Sequence, residues 1–309
     1  MDEHDTKDRT GMKFFFVTIL NALITFVEFT GGIFSGSLGL ISDAFHNLED
    51  ALSVLFSYIA HLIGRKDTNE RQTFGYTRAE ILAAFVNSAI LIAITIILVI
   101  ESIRRIGHPE HVNGGLMLAV SFVGLAFNLL SAIIMLKDAK KSLNVKATFL
   151  HMAADALSSI GVMVAALLIK FFGWEWADPV ITILTSCWIM KESYGVIKQT
   201  VSILMEASPK IDLEAVKKSI MQLPEVVNVH HVHIWRIDEH LIAFDAHINV
   251  RETETMDQLE NLYARIRKLL KNKYGINHVT LQAECHRGMD ETLVHGDKAE
   301  RKQKGKTNK

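Results

Sequence analysis

Two histidines, each followed four residues later by an aspartate, carry the most specific chemistry in this sequence. Residues 46–53 read His46-Asn-Leu-Glu-Asp50-Ala-Leu-Ser53 and residues 151–158 read His151-Met-Ala-Ala-Asp155-Ala-Leu-Ser158, so the phrase His-x-x-x-Asp-Ala-Leu-Ser recurs 105 positions on. On a helix, residues i and i+4 stand one above the other, and each copy presents an imidazole and a carboxylate from one face. Two such helices packed face to face bring two nitrogens and two oxygens to one point, a donor set for a tetrahedral cation such as zinc. Both copies lie within long apolar stretches. Ionisable groups in lipid cost about 2.5–3.5 kcal/mol each on insertion scales and mark ion or proton pathways. One such pair could be a helix-packing hydrogen bond; the repeated phrase argues for a shared site.

The elements that must hold these groups are apolar spans. The chain has 309 residues, of which 49% are hydrophobic, with 22% charged. That is too apolar for an ordinary soluble domain and too charged for an all-membrane protein, so two parts are expected. The reading is an N-terminal segment (1–13), a six-helix membrane domain (14–206), a small α+β domain (207–287) and a disordered basic tail (288–309). The spans run from Phe14 to Phe34, Leu40 to Ile63, Ala79 to Ile106 and Val112 to Leu136. A fifth carries the second His/Asp pair and ends near Phe172, and a sixth ends near Leu204. The glycines between Gly31 and Gly39 read as a tight connection. Asn21 and Glu28, seven apart, share a face that looks into the bundle. Asp43 reads either as a ligand at the mouth of the pathway or, preferred, as a helix-end cap.

The polar N-terminus is read as lacking a cleavable signal, and the first span as a retained anchor. His108 and His111 read as solvated loop residues, and Trp174 and Trp176 as part of an interfacial belt. Lysine and arginine crowd the amino end and the loops after spans two and four (Lys7, Arg9, Lys13, Arg65, Lys66, Arg71, Lys137, Lys140, Lys141, Lys146). The opposite side has little beyond Arg104, Arg105 and Lys170. Both termini are therefore expected in the cytoplasm. The two cysteines imply no disulfide framework; Cys285, between Glu284 and His286, is either a free thiol or a soft metal ligand.

After Pro209 the periodicity becomes that of a soluble αββαβ domain, an open-faced sandwich. Leu213–Leu223 and Thr255–Lys273 read as helices. Val226–Ile237, Leu241–Val250 and Ile276–Cys285 read as strands, with Asp238-Glu-His240 as the hairpin turn. In the second strand Ile242, Phe244, Ala246, Ile248 and Val250 form the apolar face, leaving Asp245 and His247 on the other. With His230, His231 and His233 on the first strand, that second face reads as a metal site, a subunit contact or a plain surface.

These segments together resemble the cation diffusion facilitator family of divalent-metal exporters. The resemblance rests on Gly36-Ser-Leu-Gly-Leu-Ile-Ser-Asp-Ala-Phe-His-Asn-Leu-Glu-Asp50, Phe74-Gly-Tyr-Thr-Arg-Ala-Glu-Ile-Leu-Ala-Ala-Phe-Val-Asn87 and Ser142 through Leu157. Ala177-Asp-Pro179 and His230-His-Val-His-Ile-Trp235 complete it, in that order. It implies a homodimer in a bacterial cell membrane that exports zinc or a related cation for protons by alternating access, with His46, Asp50, His151 and Asp155 as the transport site. It also implies a metallochaperone-like cytoplasmic domain binding regulatory zinc through His230, His247 and Glu284, and an Arg78–Glu206 charge interlock steadying the dimer. No prosthetic group and no nucleic acid partner are expected. The chain departs from the family in places. The loop after the second span has Asp67 and Gln72 but no histidine, so no metal site is expected there. Gln282 stands where some members place a ligand histidine.

Two other classes compete. An intramembrane metalloenzyme would want an open coordination position and a base, typically His-Glu-x-x-His, and that string does not occur. A membrane metal sensor fits the histidines of the small domain but leaves the intramembrane groups unexplained.

Overall fold

The computed structural model describes residues 3–64, 66, 68–136, 143–289 and 291–294. Asp67, most of the basic loop after the fourth span and the tail from 295 onward lie outside them, with the expectations attached to them. The chain divides into two compact units, one of Met1–Ile63 with Leu82–Lys198, the other of Gly64–Ile81 with Gln199–Lys309.

The first unit is built from six long helices: α1 (Glu3–Ser35), α2 (Leu38–Gly64), α3 (Ala79–Gly107), α4 (Gly114–Leu136), α5 (Leu143–Phe172) and α6 (Ala177–Leu204). The shortest, α4, has 23 residues, about 35 Å of helix against a hydrocarbon layer of about 30 Å. Among the described residues, α1 and α3 to α6 are long and apolar enough to cross a membrane. Helix α2 matches them in length with 27 residues, but Asp43, Glu49 and Asp50 dilute its apolar character. This is the physical mark of a helix whose polar stripe faces protein rather than lipid.

Gly31 and Gly32, expected in the connection, are helical instead. They serve close packing: a Cβ on Gly31 would come within 2.5 Å of Val120 Cγ2 on α4, and one on Gly32 within 2.7 Å of Ile41. The turn is confined to Gly36, which takes φ +74° as a helix-ending glycine does, and Ser37. Helix α4 packs against both α1 and α5. Leu40, Met117, Val120, Val162, Ala165, Ala166 and Ile169 make a buried cluster there.

The start of α2 is fixed by Asp178 in the first turn of α6. Its carboxylate accepts the backbone N–H groups of Leu38 at 2.8 Å and Gly39 at 3.0 Å and the Ser37 hydroxyl at 2.6 Å. Ser37 Oγ in turn accepts from Leu40 N at 3.2 Å. The unpaired amides of a helix start are thus satisfied by a carboxylate from a neighbouring helix, where the helix dipole also favours negative charge. Asp43 is not a cap: it lies inside α2, buried. The expected cap is displaced because the helix begins earlier, at Leu38.

The second unit contains α7 (Leu213–Ile220), β1 (Val226–Arg236), β2 (Ile242–Val250), α8 (Met256–Tyr274) and β3 (His278–Glu284). The order is the αββαβ expected, with α7 ending three residues before Leu223. The sheet runs β1-β2-β3, with β1 antiparallel and β3 parallel to the central β2. Asp238 Oδ1 accepts from His240 N at 2.7 Å and Leu241 N at 2.6 Å, closing the hairpin. Val229, Ile234, Phe244, Ala246 and Ile248 pack under Val216 and Ile220 of α7 and Leu262, Ile266 and Leu270 of α8. Among the described residues of this unit, no helix packs on the opposite face of the sheet. The α2–α3 loop belongs to this unit through Phe74, whose ring meets that of His278 edge-on at 5.4 Å.

Asp178→Ala is expected to destabilise the membrane unit by about 1–2 kcal/mol, the scale of a lost helix cap, while Asp178→Asn, which keeps an acceptor oxygen, costs less. Thermal unfolding of the detergent-solubilised protein checks this; equal melting of wild type and Asp178→Ala would refute the capping role.

Candidate functional site

Helices α2 and α5 bring the two copies of the repeated phrase together. His151 Nε2 lies 2.8 Å from Asp50 Oδ2, His46 Nε2 lies 3.5 Å from Asp155 Oδ1, and His151 Nε2 lies 3.8 Å from Asp155 Oδ2. The two imidazole rings meet edge-on with centroids 5.8 Å apart. Ligand atoms of His46, Asp50 and His151 all fall within 4.8 Å of one another, and Asp155 joins them through both imidazoles. Two ligands on a tetrahedral zinc, at about 2.0–2.1 Å from the metal, stand about 3.3 Å apart. The separations here bracket that value. With neutral imidazoles the four groups carry two negative charges, which one divalent cation balances.

The cluster borders a cavity of about 430 Å³ lined by His46, His151, Asp155, Ser158, Gly161 and Thr185 together with apolar side chains of α5 and α6. Asp155 is 5% exposed. Its Oδ2 and His46 Nδ1 are buried with no hydrogen-bond partner among the described residues, an expensive arrangement for polar atoms unless a further group satisfies them.

Around the cluster stand polar residues whose roles the sequence left open. Asp43 Oδ1 accepts the Ser158 hydroxyl at 2.8 Å, joining α2 to α5 one turn from His46. Glu28 is buried as expected of its face, and its Oε2 accepts from Asn47 Nδ2 at 2.7 Å. Gly124 on α4 leaves room for that carboxylate, since a Cβ there would overlap Glu28 Oε1. Asn87, quoted above only for resemblance, donates from Nδ2 to Glu49 Oε1 at 2.8 Å and Ser53 Oγ at 2.7 Å, tying α3 to α2. Buried amides and carboxylates in apolar runs were the available signal for these contacts; their pairing was not.

A second cluster lies on the face of the β-sheet turned away from α7 and α8. His230 Nε2 is 3.3 Å from Glu284 Oε2, and His247 Nδ1 is 3.2 Å from Glu284 Oε1. Ligand atoms of these three residues also fall within 4.8 Å of one another. A β-bulge makes this possible: His230 pairs with His247 and His233 with Asp245, so β1 advances by three residues while β2 moves by two. The extra residue, His231, takes φ +49°, and the bulge turns His230 and His233 toward the face of His247 and Asp245. Gln282, at the departure from the family pattern, donates from Nε2 to Glu284 Oε1 at 2.7 Å. Cys285 is exposed and is not in this cluster.

Arg78 and Glu206 also meet: Nη2 lies 3.2 Å from Oε1, and Arg78 Nε donates to the Ile237 carbonyl at 3.2 Å. His111, read as solvated, is exposed and pairs its Nδ1 with Glu175 Oε1 at 2.9 Å. Trp174 and Trp176 stack with centroids 5.4 Å apart.

The family model for the cation efflux transmembrane domain matches residues 14–205, and that for the cytoplasmic domain of cation efflux proteins matches residues 208–286. Among related proteins, the cadmium, cobalt and zinc/H(+)-K(+) antiporter of Bacillus subtilis is 40% identical over 272 residues, covering 87% of this chain and 86% of that protein. The zinc transporter ZitB of Escherichia coli is 37% identical over 289 residues, 92% of this chain and 91% of its own. The metal cation efflux system protein CzcD of Cupriavidus metallidurans is 33% identical over 266 residues, covering 86% and 84%.

If the α2–α5 cluster is a cation site, Asp50→Asn removes half of its negative charge without changing its shape. Zinc affinity, followed by isothermal titration of the solubilised protein, is expected to fall by about tenfold or more, at least the loss that even an outer partner of a ligand causes. Unaltered affinity would exclude Asp50 from the site.

Proposed function

The chain belongs to the cation diffusion facilitator family of cation efflux proteins, and on that premise we propose that it exports zinc from the cytoplasm in exchange for protons. His46, Asp50, His151 and Asp155 form the site in this reading, which opens to one side of the membrane and then to the other. The chain is an integral membrane transporter and not an enzyme. The observation that carries the proposal is the convergence of the two repeated His/Asp pairs within one helical unit, with charge and spacing suited to one divalent cation. Relatives named for zinc, cadmium and cobalt support the cation class and make the last two further substrates to test.

Exchange follows from the donor atoms. Histidine binds metal as the neutral imidazole and aspartate as the carboxylate, so metal and protons compete for the same lone pairs. Facing the cytoplasm, the groups give up protons and take the cation. Facing outward, where protons are more concentrated, protonation releases it. The sign is fixed: acidification lowers zinc affinity, by about tenfold per pH unit for each proton displaced.

We place both termini in the cytoplasm, on the distribution of lysine and arginine, and read the protein as a homodimer paired through its C-terminal domain. In that assembly the Arg78–Glu206 pair acts as a brace beside the membrane. His230, His247 and Glu284 hold a regulatory zinc, for which two imidazoles and a carboxylate are fitting donors. A sensor that signals through this domain without transport is the competing reading, and flux separates the two.

The test is proton movement in liposomes holding the purified protein, driven by zinc under a fixed pH gradient. Wild type is expected to move protons and Asp155→Ala to lose the activity while remaining folded. Retained flux in the mutant would end the shared-site reading; zinc binding without flux in wild type would favour the sensor. His230→Ala is expected to leave flux at saturating zinc intact and to shift its zinc dependence.

A further inference from the structure

Beyond β3 the chain does not leave the sheet. It turns back along β1, past the last residue matched by the family models. Asn249, fully buried, donates from Nδ2 to the Arg287 carbonyl at 2.7 Å, and Asn228 Nδ2 donates to the Met289 carbonyl at 3.4 Å. Val232 N, within the bulged stretch of β1, donates to the Leu293 carbonyl at 2.8 Å, and Leu293 packs on the domain core. The stretch expected to begin a solvated tail is therefore fastened at three points on the sheet that carries the second cluster.

The turn in this strap is shaped around His230. Gly288 takes φ +69°, and Glu291 N donates to its carbonyl at 3.1 Å. A Cβ on Gly288 would overlap His230 Nε2, the nitrogen that faces Glu284. Glycine alone leaves that nitrogen usable. The same turn swings Glu291 inward, so that its Oε2 lies 4.0 Å from His230 Nε2. His230 is 1% exposed and Glu291 is 42% exposed, so the glutamate closes the site from its solvent side.

We infer that Glu291 is a fourth metal ligand of the C-terminal site, which makes the described residues after β3, 286–289 and 291–294, a strap that a bound divalent cation fastens down. His230, His247 and Glu284 supply three donors, whereas a closed zinc site takes four. A side-chain rotation of Glu291 shortens the 4.0 Å separation to the roughly 3.3 Å of two ligands on one ion. The ligand comes from a segment held to the sheet by three hydrogen bonds and the packing of Leu293, so metal binding and the docking of this segment are coupled. The inference rests on the reading of His230, His247 and Glu284 as a metal site.

Hydrogen exchange on the full-length protein, titrated with zinc, tests it locally and apart from the intramembrane cluster. In wild type, peptides covering 230–247 and 286–294 are expected to gain protection at the same zinc concentration. Glu291→Gln should raise that concentration by about tenfold or more, at least the scale of losing even an outer partner of a ligand, and should release the strap. Glu291→His, which offers another donor, should restore most of the affinity, as a merely structural role would not. Gly288→Ala should weaken binding by crowding His230. Protection of 230–247 at the wild-type concentration in Glu291→Gln, or no zinc effect on 286–294 in wild type, would overturn the inference. If His230→Ala still gained full protection, the C-terminal metal site itself would fall.

Discussion

The membrane unit depends on one electrostatic constraint: two carboxylates and two imidazoles must be held together among apolar helices. None of them could be buried singly at acceptable cost. Their mutual approach, at 2.8–3.8 Å between His151, His46 and the two aspartates, is the condition under which α2 can reside in the bundle at all. The surrounding structure serves that approach. Glycines at 31 and 32 let α1 come close to α4 and α2, Ser158 binds Asp43 across the α2–α5 seam, and Asn87 steadies Glu49 from α3. Each contact occupies a polar atom that would otherwise be stranded, and in the cluster itself Asp155 Oδ2 is left without a hydrogen-bond partner among the described residues.

The C-terminal domain reaches a related donor set by different means. In the membrane the helix repeat does the work: i and i+4 place a nitrogen and an oxygen on one face. In the sheet, strict alternation would have sent His230 and His233 to opposite faces, because they are three apart. The bulge at His231 reverses the phase, and His230 joins His247 and Glu284. Arg265 and Glu225 pair at the edge of this domain, and the guanidinium holds that carboxyl below its ordinary range. Acidification through that lowered range therefore removes its small contribution to the domain's stability.

Much of this was legible in the sequence, for a physical reason. Long apolar runs, a repeated i, i+4 phrase and a two-residue alternation in β2 are local patterns, and local patterns survive into the fold. Ile242, Phe244, Ala246, Ile248 and Val250 all pack in the core as their alternation requires. What escaped depends on partners distant in the chain. Asp178 caps a helix that starts 140 residues earlier, and nothing near it in sequence announces that. Asp43 has the composition of a cap but sits inside the helix because Asp178 has taken that place. The glycine pair at 31 and 32 looks like a turn until Val120 and Ile41 appear beside it. The bulge at His231 and the return of the chain at Gly288 are likewise tertiary choices, written in residues that would be unremarkable elsewhere.

The bond between Asp178 and the start of α2 has a geometric consequence. It makes the first turns of α2 and α6 a common pivot, so any change of angle between these helices is smallest there and grows along their length. His46 lies eight residues from Leu38, about 12 Å along the axis. A tilt of about 10° would then carry it about 2 Å, comparable to a metal–ligand bond, and Asp50, a turn farther out, would travel more. The helix is a lever pinned at one end, with His46 and Asp50 placed where a modest swing shifts them by about the length of one such bond.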